Sequence, residues 1–205
     1  MSTTKINPYF QLLEIPPGYL NTMGYVDESE VNGPGSRAVV WLQGCLRECE
    51  ACFNPDSWSF EINQLISVDR LVEKILNNPK NTGVTFSGGE PFWQAPALTT
   101  VAKKVKAAGL SVMSFTGFTL ERLQSEYAPA CSQELIAELD LLIDGAFIPA
   151  LAVNDPNSLV SSSNQKVHVF NPDFEHKLDW ASDQIEVHVL KDGSRIITGF
   201  QGSLN

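Results

Sequence analysis

The chain has 205 residues, 43% of them hydrophobic and 19% charged, a balance typical of one globular domain with a substantial core. Its net charge of −10 argues against a nucleic-acid or anionic-membrane surface, because both need clustered Lys and Arg. The N-terminus lacks the apolar segment of a signal peptide, and no uncharged run approaches the ~20 residues that span a bilayer, so we expect a cytoplasmic protein with no membrane partner.

Residues 1–36 are predicted to be an irregular lead-in, with short strand candidates at 10–13 and 23–26 that could form a hairpin against the first core strand. From residue 37 the pattern alternates between strands and helices. Apolar, β-branched runs predict buried strands at 38–42, 83–87, 110–115 and 139–143. Helices are predicted at 67–76, 96–108, 120–123 and 133–138. Parallel strands joined through helices form an α/β sheet or barrel.

The C-terminal part is predicted to add further strands. Residues 145–165 show no obvious element, and loops of that length are usually functional or mobile. Residues 166–170 alternate like a strand. Runs at 184–190 and 195–200 flank Asp192-Gly193, which is a strong hairpin signal. We therefore expect a single domain over residues 1–205, with C-terminal strands and a β-hairpin within 166–205.

Three of the four cysteines, Cys45, Cys49 and Cys52, lie within eight residues directly after the strand 38–42. Gly44 ends that strand, so the thiols sit on a loop that can curl around one centre, whereas alternate strand side chains point to opposite faces. Soft thiolates favour iron–sulfur clusters, zinc or copper. A closed zinc site or an electron-carrying cluster normally has four protein ligands. Three thiolates on a four-iron cluster would leave one iron open to a non-protein ligand.

Chemically versatile residues follow the next three predicted strands: Gly88-Gly89-Glu90-Pro91, Thr116-Gly117 and Asp144-Gly145. Ligands of parallel α/β folds gather at the carboxyl ends of the strands, so we expect these loops to converge with the cysteine loop. Paired glycines let a ligand approach the backbone closely, and Glu90 adds a carboxylate that can bind an ammonium group. Thr116 and Asp144 fit ordinary turn capping equally well.

With CxxxCxxC after the first core strand and Gly-Gly-Glu-Pro after the second, the chain resembles the radical S-adenosylmethionine enzymes. Within them it is similar to the small activases of glycyl radical enzymes, above all the anaerobic ribonucleotide reductase activating proteins. The resemblance runs from about residue 26 to residue 165 and includes the segment Val31-Asn32-Gly33-Pro34-Gly35. It implies a partial (β/α) barrel of the radical S-adenosylmethionine type, here followed by the C-terminal β-hairpin.

The resemblance also implies the cofactors and the reaction. A 4Fe–4S cluster would be held by Cys45, Cys49 and Cys52, and its open iron would bind S-adenosylmethionine. Such oxidoreductases cleave S-adenosylmethionine reductively to a 5′-deoxyadenosyl radical, which takes a hydrogen atom from the substrate. A glycyl radical enzyme would be the protein substrate, and flavodoxin or ferredoxin would be a suitable electron donor.

By position, the methionine amino group would be held by Gly88, Gly89, Glu90 and Pro91. The cofactor or substrate side of the cavity would be lined by Thr116 and Asp144. Many relatives carry an aromatic residue just before the third cysteine, where it contacts adenine. Here Ala51 takes that position and the aromatic residue follows as Phe53, which becomes the candidate adenine contact. No residue is assigned as catalytic.

Two other functions stay open at this point. The chain could be a radical S-adenosylmethionine enzyme for another peptide or a small molecule, or a non-enzymatic 4Fe–4S electron-transfer protein. Three cysteines instead of four, together with Gly-Gly-Glu-Pro, weigh against the electron carrier. Cys131 lies far from the cysteine loop and is interpreted as a core or idle thiol. His168 and His188, in alternating strands, are interpreted as structural.

Overall fold

The computed structural model describes residues 15–155, 158–177, 185–189 and 193–199. Its centre is a seven-stranded sheet with the order β3-β1-β2-β4-β5-β6-β7. The strands are β1 Tyr19–Ser29, β2 Arg37–Leu42, β3 Gln64–Ser67, β4 Gly83–Gly88, β5 Ser111–Phe115, β6 Leu141–Asp144 and β7 Lys166–Val169. The four neighbours β2, β4, β5 and β6 pair in parallel. Antiparallel pairings add β1 and β3 at one side and β7 at the other. The fold is therefore a mixed α/β sheet.

Four helices connect these strands: α1 Val68–Asn77, α2 Ala95–Ala107, α3 Leu120–Leu123 and α4 Ser132–Ile136. Their starts follow the predicted caps. The hydroxyl oxygen of Ser67 accepts a hydrogen bond from the N–H of Arg70 at 3.2 Å, and Thr119 does the same for Arg122. Gly109, with φ of +87°, follows α2 in the left-handed conformation that ends many helices. Among the described helices, none is long and apolar enough to cross a membrane.

The alternation of side chains along β2 separates two faces of the sheet. Ala38, Val40 and Leu42 pack with α1 and α2 in the main core, and we call this side the helix face. Val39 and Trp41 point to the opposite side, which we call the second face. Further along that face, Met113, Leu141 and Ile143 form another apolar cluster, against which residues of the 145–165 loop pack.

The remaining sequence expectations have mixed outcomes. The candidate strand 23–26 lies within β1 and pairs antiparallel with β2, as expected, whereas the candidate 10–13 falls outside the described residues. The irregular lead-in is wrong for residues 19–29, and β3 was not predicted at all. The 145–165 loop holds one 3₁₀ turn, Pro149–Leu151. Strands β8 Ile185–Val189 and β9 Arg195–Gly199 pair antiparallel, as the Asp-Gly signal predicts, and residues 190–192 between them lie outside the description.

At the amino end of β2, the guanidinium of Arg37 is fully buried and makes five hydrogen bonds. Its partners include the Thr85 hydroxyl at 2.8 Å and the Pro34 carbonyl at 3.0 Å. Glycine makes the space: a Cβ on Gly83 would lie 2.5 Å from Nη1 of Arg37. Burial lowers the pKa of Arg37 to about 10. The Gly-Pro-Gly segment therefore folds over a buried cation, at the opposite strand end from the cysteines.

Candidate functional site

The cysteine loop leaves the carboxyl end of β2 and closes on itself. The N–H of Gly44 donates to the carbonyl of Ser57 at 2.8 Å, and the N–H of Cys45 donates to the carbonyl of Trp58 at 3.1 Å. Within the loop, the N–H of Cys52 donates to the Cys49 carbonyl at 3.1 Å. These bonds hold residues 45–58 as a compact loop rather than a strand, as the position of Gly44 predicts.

Cys45, Cys49 and Cys52 are free, half-buried thiols on this loop. Burial raises the pKa of the Cys45 thiol to about 11, although backbone N–H groups of Arg47 and Glu48 oppose the shift by hydrogen bonding to sulfur. Such N–H groups stabilise a thiolate, and a bound metal centre favours the thiolate further.

Among the described residues, no three His, Cys, Asp or Glu side chains lie close enough to hold one metal ion. A four-iron cluster needs a different arrangement. Each thiolate binds a different iron atom, so the three sulfur atoms need not lie within bonding distance of a single metal ion. Three soft donors on one loop, with the Asn54 N–H donating to the Cys52 sulfur at 3.4 Å, fit that cluster better than a single hard cation.

The loop after β4 lies against the cysteine loop, main chain to main chain. The N–H of Gly89 donates to the Leu42 carbonyl at 2.8 Å, and the N–H of Glu90 donates to the Gly44 carbonyl at 2.9 Å. A Cβ on Gly88 would lie 2.6 Å from the Leu42 nitrogen, and one on Gly89 would lie 2.6 Å from the Gly44 oxygen. The paired glycines therefore permit close contact between two loops, and the N–H groups of Gly89 and Glu90 are already used within the protein.

The carboxylate of Glu90 is almost completely buried, with 1% of the residue exposed. One oxygen accepts hydrogen bonds from the Thr116 hydroxyl at 2.8 Å and the Phe92 N–H at 3.1 Å, and the other accepts from the Gly117 N–H at 2.8 Å. Burial raises the pKa of Glu90, while these donors and the charge of Arg47 oppose the shift. Three protein donors therefore hold the Glu90 side chain in one orientation.

The side chains of Thr116 and Asp144 both accept backbone N–H groups. The Thr116 hydroxyl donates to Glu90 and accepts from the Phe118 N–H at 3.1 Å. The two oxygens of Asp144 accept the N–H groups of Leu120 at 2.6 Å and Lys166 at 3.2 Å. Asp144 is two residues from Leu142, which packs in the main core, so the strand period of two directs it to the helix face. Thr116 therefore reaches the site through Glu90, and Asp144 faces away from the second face.

Three contacts here had no sequence prediction. Phe53 is 56% exposed, and its ring centroid lies 5.2 Å from that of Phe147 in the loop after β6. The guanidinium of Arg47, inside the cysteine loop, lies 4.8 Å from the ring centroid of Phe118. The Nε2 atom of His168 lies 2.9 Å from Oδ2 of Asp144 without forming a hydrogen bond. In the sequence, Phe147 could have been found as an aromatic residue two positions after Gly145, the glycine that follows β6.

The other thiol and histidine lie outside this site. Cys131 is partly buried against the main core beside α4, in agreement with its interpretation as a core thiol. His188 lies 3.0 Å from the carboxylate of Glu186 in β8 and has a structural contact there.

Comparison with known proteins places the chain among iron–sulfur proteins. The family described as "4Fe-4S single cluster domain" matches residues 31–168. The anaerobic ribonucleoside-triphosphate reductase-activating protein of Haemophilus influenzae is 32% identical over 162 residues, which are 74% of this chain and 99% of that protein. The protein of the same description from Escherichia coli K12 is 28% identical over 159 residues, 73% of this chain and 98% of the relative.

A pyruvate formate-lyase-activating enzyme of Staphylococcus epidermidis is 40% identical over 97 residues, 44% of this chain and 37% of that enzyme. The family match covers the cysteine loop and the ends of the parallel strands, and it leaves β8 and β9 outside.

Proposed function

The chain belongs to the family of 4Fe-4S single cluster domains and to that of the anaerobic ribonucleotide reductase-activating proteins, and on this premise we propose that it installs a glycyl radical on a partner enzyme. It is a radical S-adenosylmethionine enzyme whose cofactors are an iron–sulfur cluster and S-adenosylmethionine. The identity of the partner is inferred from the names of the relatives, which are activating proteins of other enzymes.

One observation carries the proposal: the three-cysteine loop is joined through its main chain to the loop that carries the buried carboxylate of Glu90. We assign Cys45, Cys49 and Cys52 as the cluster ligands. Held there together, the cluster and S-adenosylmethionine would supply one-electron reductive cleavage chemistry. The protein supplies binding, orientation and exclusion of water.

Gly88, Gly89, Glu90 and Pro91 are proposed to hold the methionine amino group. An ammonium group donates hydrogen bonds, so it needs acceptors, and a carboxylate fixed by three protein donors is a suitable one. Pro91 begins a 3₁₀ turn whose N-terminus the Glu90 side chain caps, which keeps that carboxylate from turning away. The exposed ring of Phe53, supported by Phe147, is proposed to stack on the adenine.

The finer features of the fold and setting are proposals as well. We propose one domain over residues 1–205 and a partial (β/α) barrel, supported by four parallel strands whose helices pack on one face. A barrel of this kind would place the substrate on the second face of the sheet. We further propose a cytoplasmic location and an electron donor such as flavodoxin or ferredoxin, because the cluster must be reduced before it can react.

The test is reductive cleavage of S-adenosylmethionine by the anaerobically reconstituted, reduced protein. We expect 5′-deoxyadenosine from the wild type and none from Cys45→Ala, Cys49→Ala or Cys52→Ala. Cys131→Ala is the matched control and should keep full activity. Electron paramagnetic resonance on a mixture with the anaerobic reductase of the same genome should show a glycyl radical. Cleavage without such a radical would favour a peptide or small-molecule substrate, and a cluster indifferent to S-adenosylmethionine would indicate an electron carrier.

A further inference from the structure

The hairpin of β8 and β9 lies outside the residues that match the family and packs on the second face of the sheet. Ile196 of β9 packs against the cluster of Val26, Val39 and Trp41. The Thr198 hydroxyl donates to the side-chain oxygen of Asn32 at 2.9 Å. An oxygen of Glu186 in β8 accepts the N–H of Glu30 at 2.8 Å. One face of the hairpin is thus fixed to the body of the protein by both apolar and polar contacts.

The other face of the hairpin is apolar and exposed. Cross-strand pairing places Val187 opposite Ile197, Val189 opposite Arg195, and Ile185 opposite Gly199, and these six residues form what we call the hairpin face. Ile185, Val187, Val189 and Ile197 are 49%, 51%, 67% and 52% exposed. Contiguous exposed apolar side chains of this kind are typical of interaction sites.

The charge of the hairpin face differs from that of the whole chain. The chain has a net charge of −10, yet the described residues of this face include Arg195 and no carboxylate. A second copy of the chain is a poor occupant, because a two-fold contact would place both Arg195 side chains in one small patch. An apolar patch bordered by carboxylates on a different protein is complementary to it.

The hairpin also lies near the strand end that carries the cysteine loop. Ile196 packs against Trp41, which precedes Cys45 by four residues. The two residues are therefore at most roughly 14 Å apart along the chain. A protein substrate must bring one of its own atoms to the cofactors, so its surface has to pass close to this edge of the second face. A macromolecular substrate can therefore reach the hairpin while it engages the cofactors.

We propose that the hairpin face is a docking surface for the glycyl radical enzyme, and that it recognises an apolar patch with acidic residues at its border. The inference rests on the proposed function. The test is the double variant Val187→Thr and Ile197→Thr, which removes two apolar side chains and keeps the β-branching that the strands favour. Leu76→Gln is the matched control, because Leu76 is an exposed apolar residue of α1, on the helix face.

Two rates are measured for each variant: 5′-deoxyadenosine formation from S-adenosylmethionine alone, and glycyl radical formation against the concentration of the anaerobic reductase. We expect the double variant to keep its basal cleavage rate and to need about tenfold more reductase for half-maximal activation, as for the loss of a central apolar anchor. Arg195→Glu should also raise the reductase concentration needed for half-maximal activation. It should weaken the dependence of that concentration on salt. Leu76→Gln should change neither rate.

An unchanged reductase requirement in both the double variant and Arg195→Glu would overturn the inference. So would a fall in basal cleavage that matches the fall in activation, because that result assigns the hairpin a structural role. A wild type that dimerises, and a double variant that is monomeric with normal activation, would show that a second copy is the occupant. Absence of a glycyl radical with the wild type overturns the proposed function itself and is seen before any variant is compared.

Discussion

Replacing Arg37 by Met should destabilise the protein by about 3–5 kcal/mol. Met keeps an apolar stem of similar length and removes all five donated hydrogen bonds. Two carbonyls, of Pro34 and Val84, then lose the guanidinium, and the hydroxyls of Thr85 and Ser111 lose one hydrogen bond each while still donating to Asn32 and Thr82. Each buried carbonyl left without this partner costs about 1–3 kcal/mol and each lost hydroxyl hydrogen bond about 1 kcal/mol, or roughly 6 kcal/mol together.

Relief from burying a cation opposes that cost. The guanidinium has its pKa lowered to about 10 from an ordinary value of 12.5, which corresponds to about 3 kcal/mol. The net loss is close to the cost of removing one partner from a buried ionic contact, and it is a large part of the 5–15 kcal/mol that stabilises most domains. Arg37→Lys retains the charge with only three donors, so we expect it to recover less than half of the loss.

Urea unfolding of the metal-free protein measures this difference. Arg70→Met is the control, because Arg70 is exposed and pairs only with Glu73 on the surface of α1, where an ion pair contributes about 0–1 kcal/mol. A midpoint for Arg37→Met within the range of the Arg70→Met control would refute the reasoning. It would show that water or a shifted loop satisfies the acceptors that the guanidinium now holds.

Three further predictions concern the site. Gly89→Ala should prevent stable cluster binding, because its Cβ would lie 2.6 Å from the Gly44 oxygen; iron and sulfide content after reconstitution measures this, and a full complement would contradict it. Glu90→Gln should keep the cluster and weaken S-adenosylmethionine binding at least about tenfold, as for loss of a charge-assisted hydrogen bond; equilibrium dialysis decides, and unchanged affinity would remove Glu90 from the site. Phe53→Ala should weaken S-adenosylmethionine binding by about 1 kcal/mol and leave methionine binding unaltered; equal losses for both ligands would argue against adenine stacking.

The sequence predicted which loops meet but not how they meet. Strand ends and glycines were sufficient to bring Cys45 and Glu90 to one edge of the sheet, because parallel strands share that edge. The acceptors of the Gly89 and Glu90 N–H groups depend on the distance between two loops, and no local pattern contains it. The short strand β3 was missed for a related reason: its residues, Gln64–Ser67, are exposed or only partly buried and form a strand through pairing with β1 rather than through their own pattern.

Arg37 shows where chemical type alone is misleading. An arginine at the start of a strand is typical of a surface residue, and only the acceptors from three separate segments explain its complete burial. Asp144 fits both a ligand and a cap by position. Leu142, two residues earlier, would have indicated the helix face if the alternation had been followed to the end of the strand.

The two backbone hydrogen bonds between the cysteine loop and the Gly88–Glu90 loop have an evolutionary consequence. They join main-chain atoms, so they do not depend on the identity of side chains such as Leu46 or Glu50. Substitutions at these two positions therefore leave the two loops joined. An insertion or deletion at Gln43 or Gly44, in contrast, would shift the register and separate the two halves of the site at once.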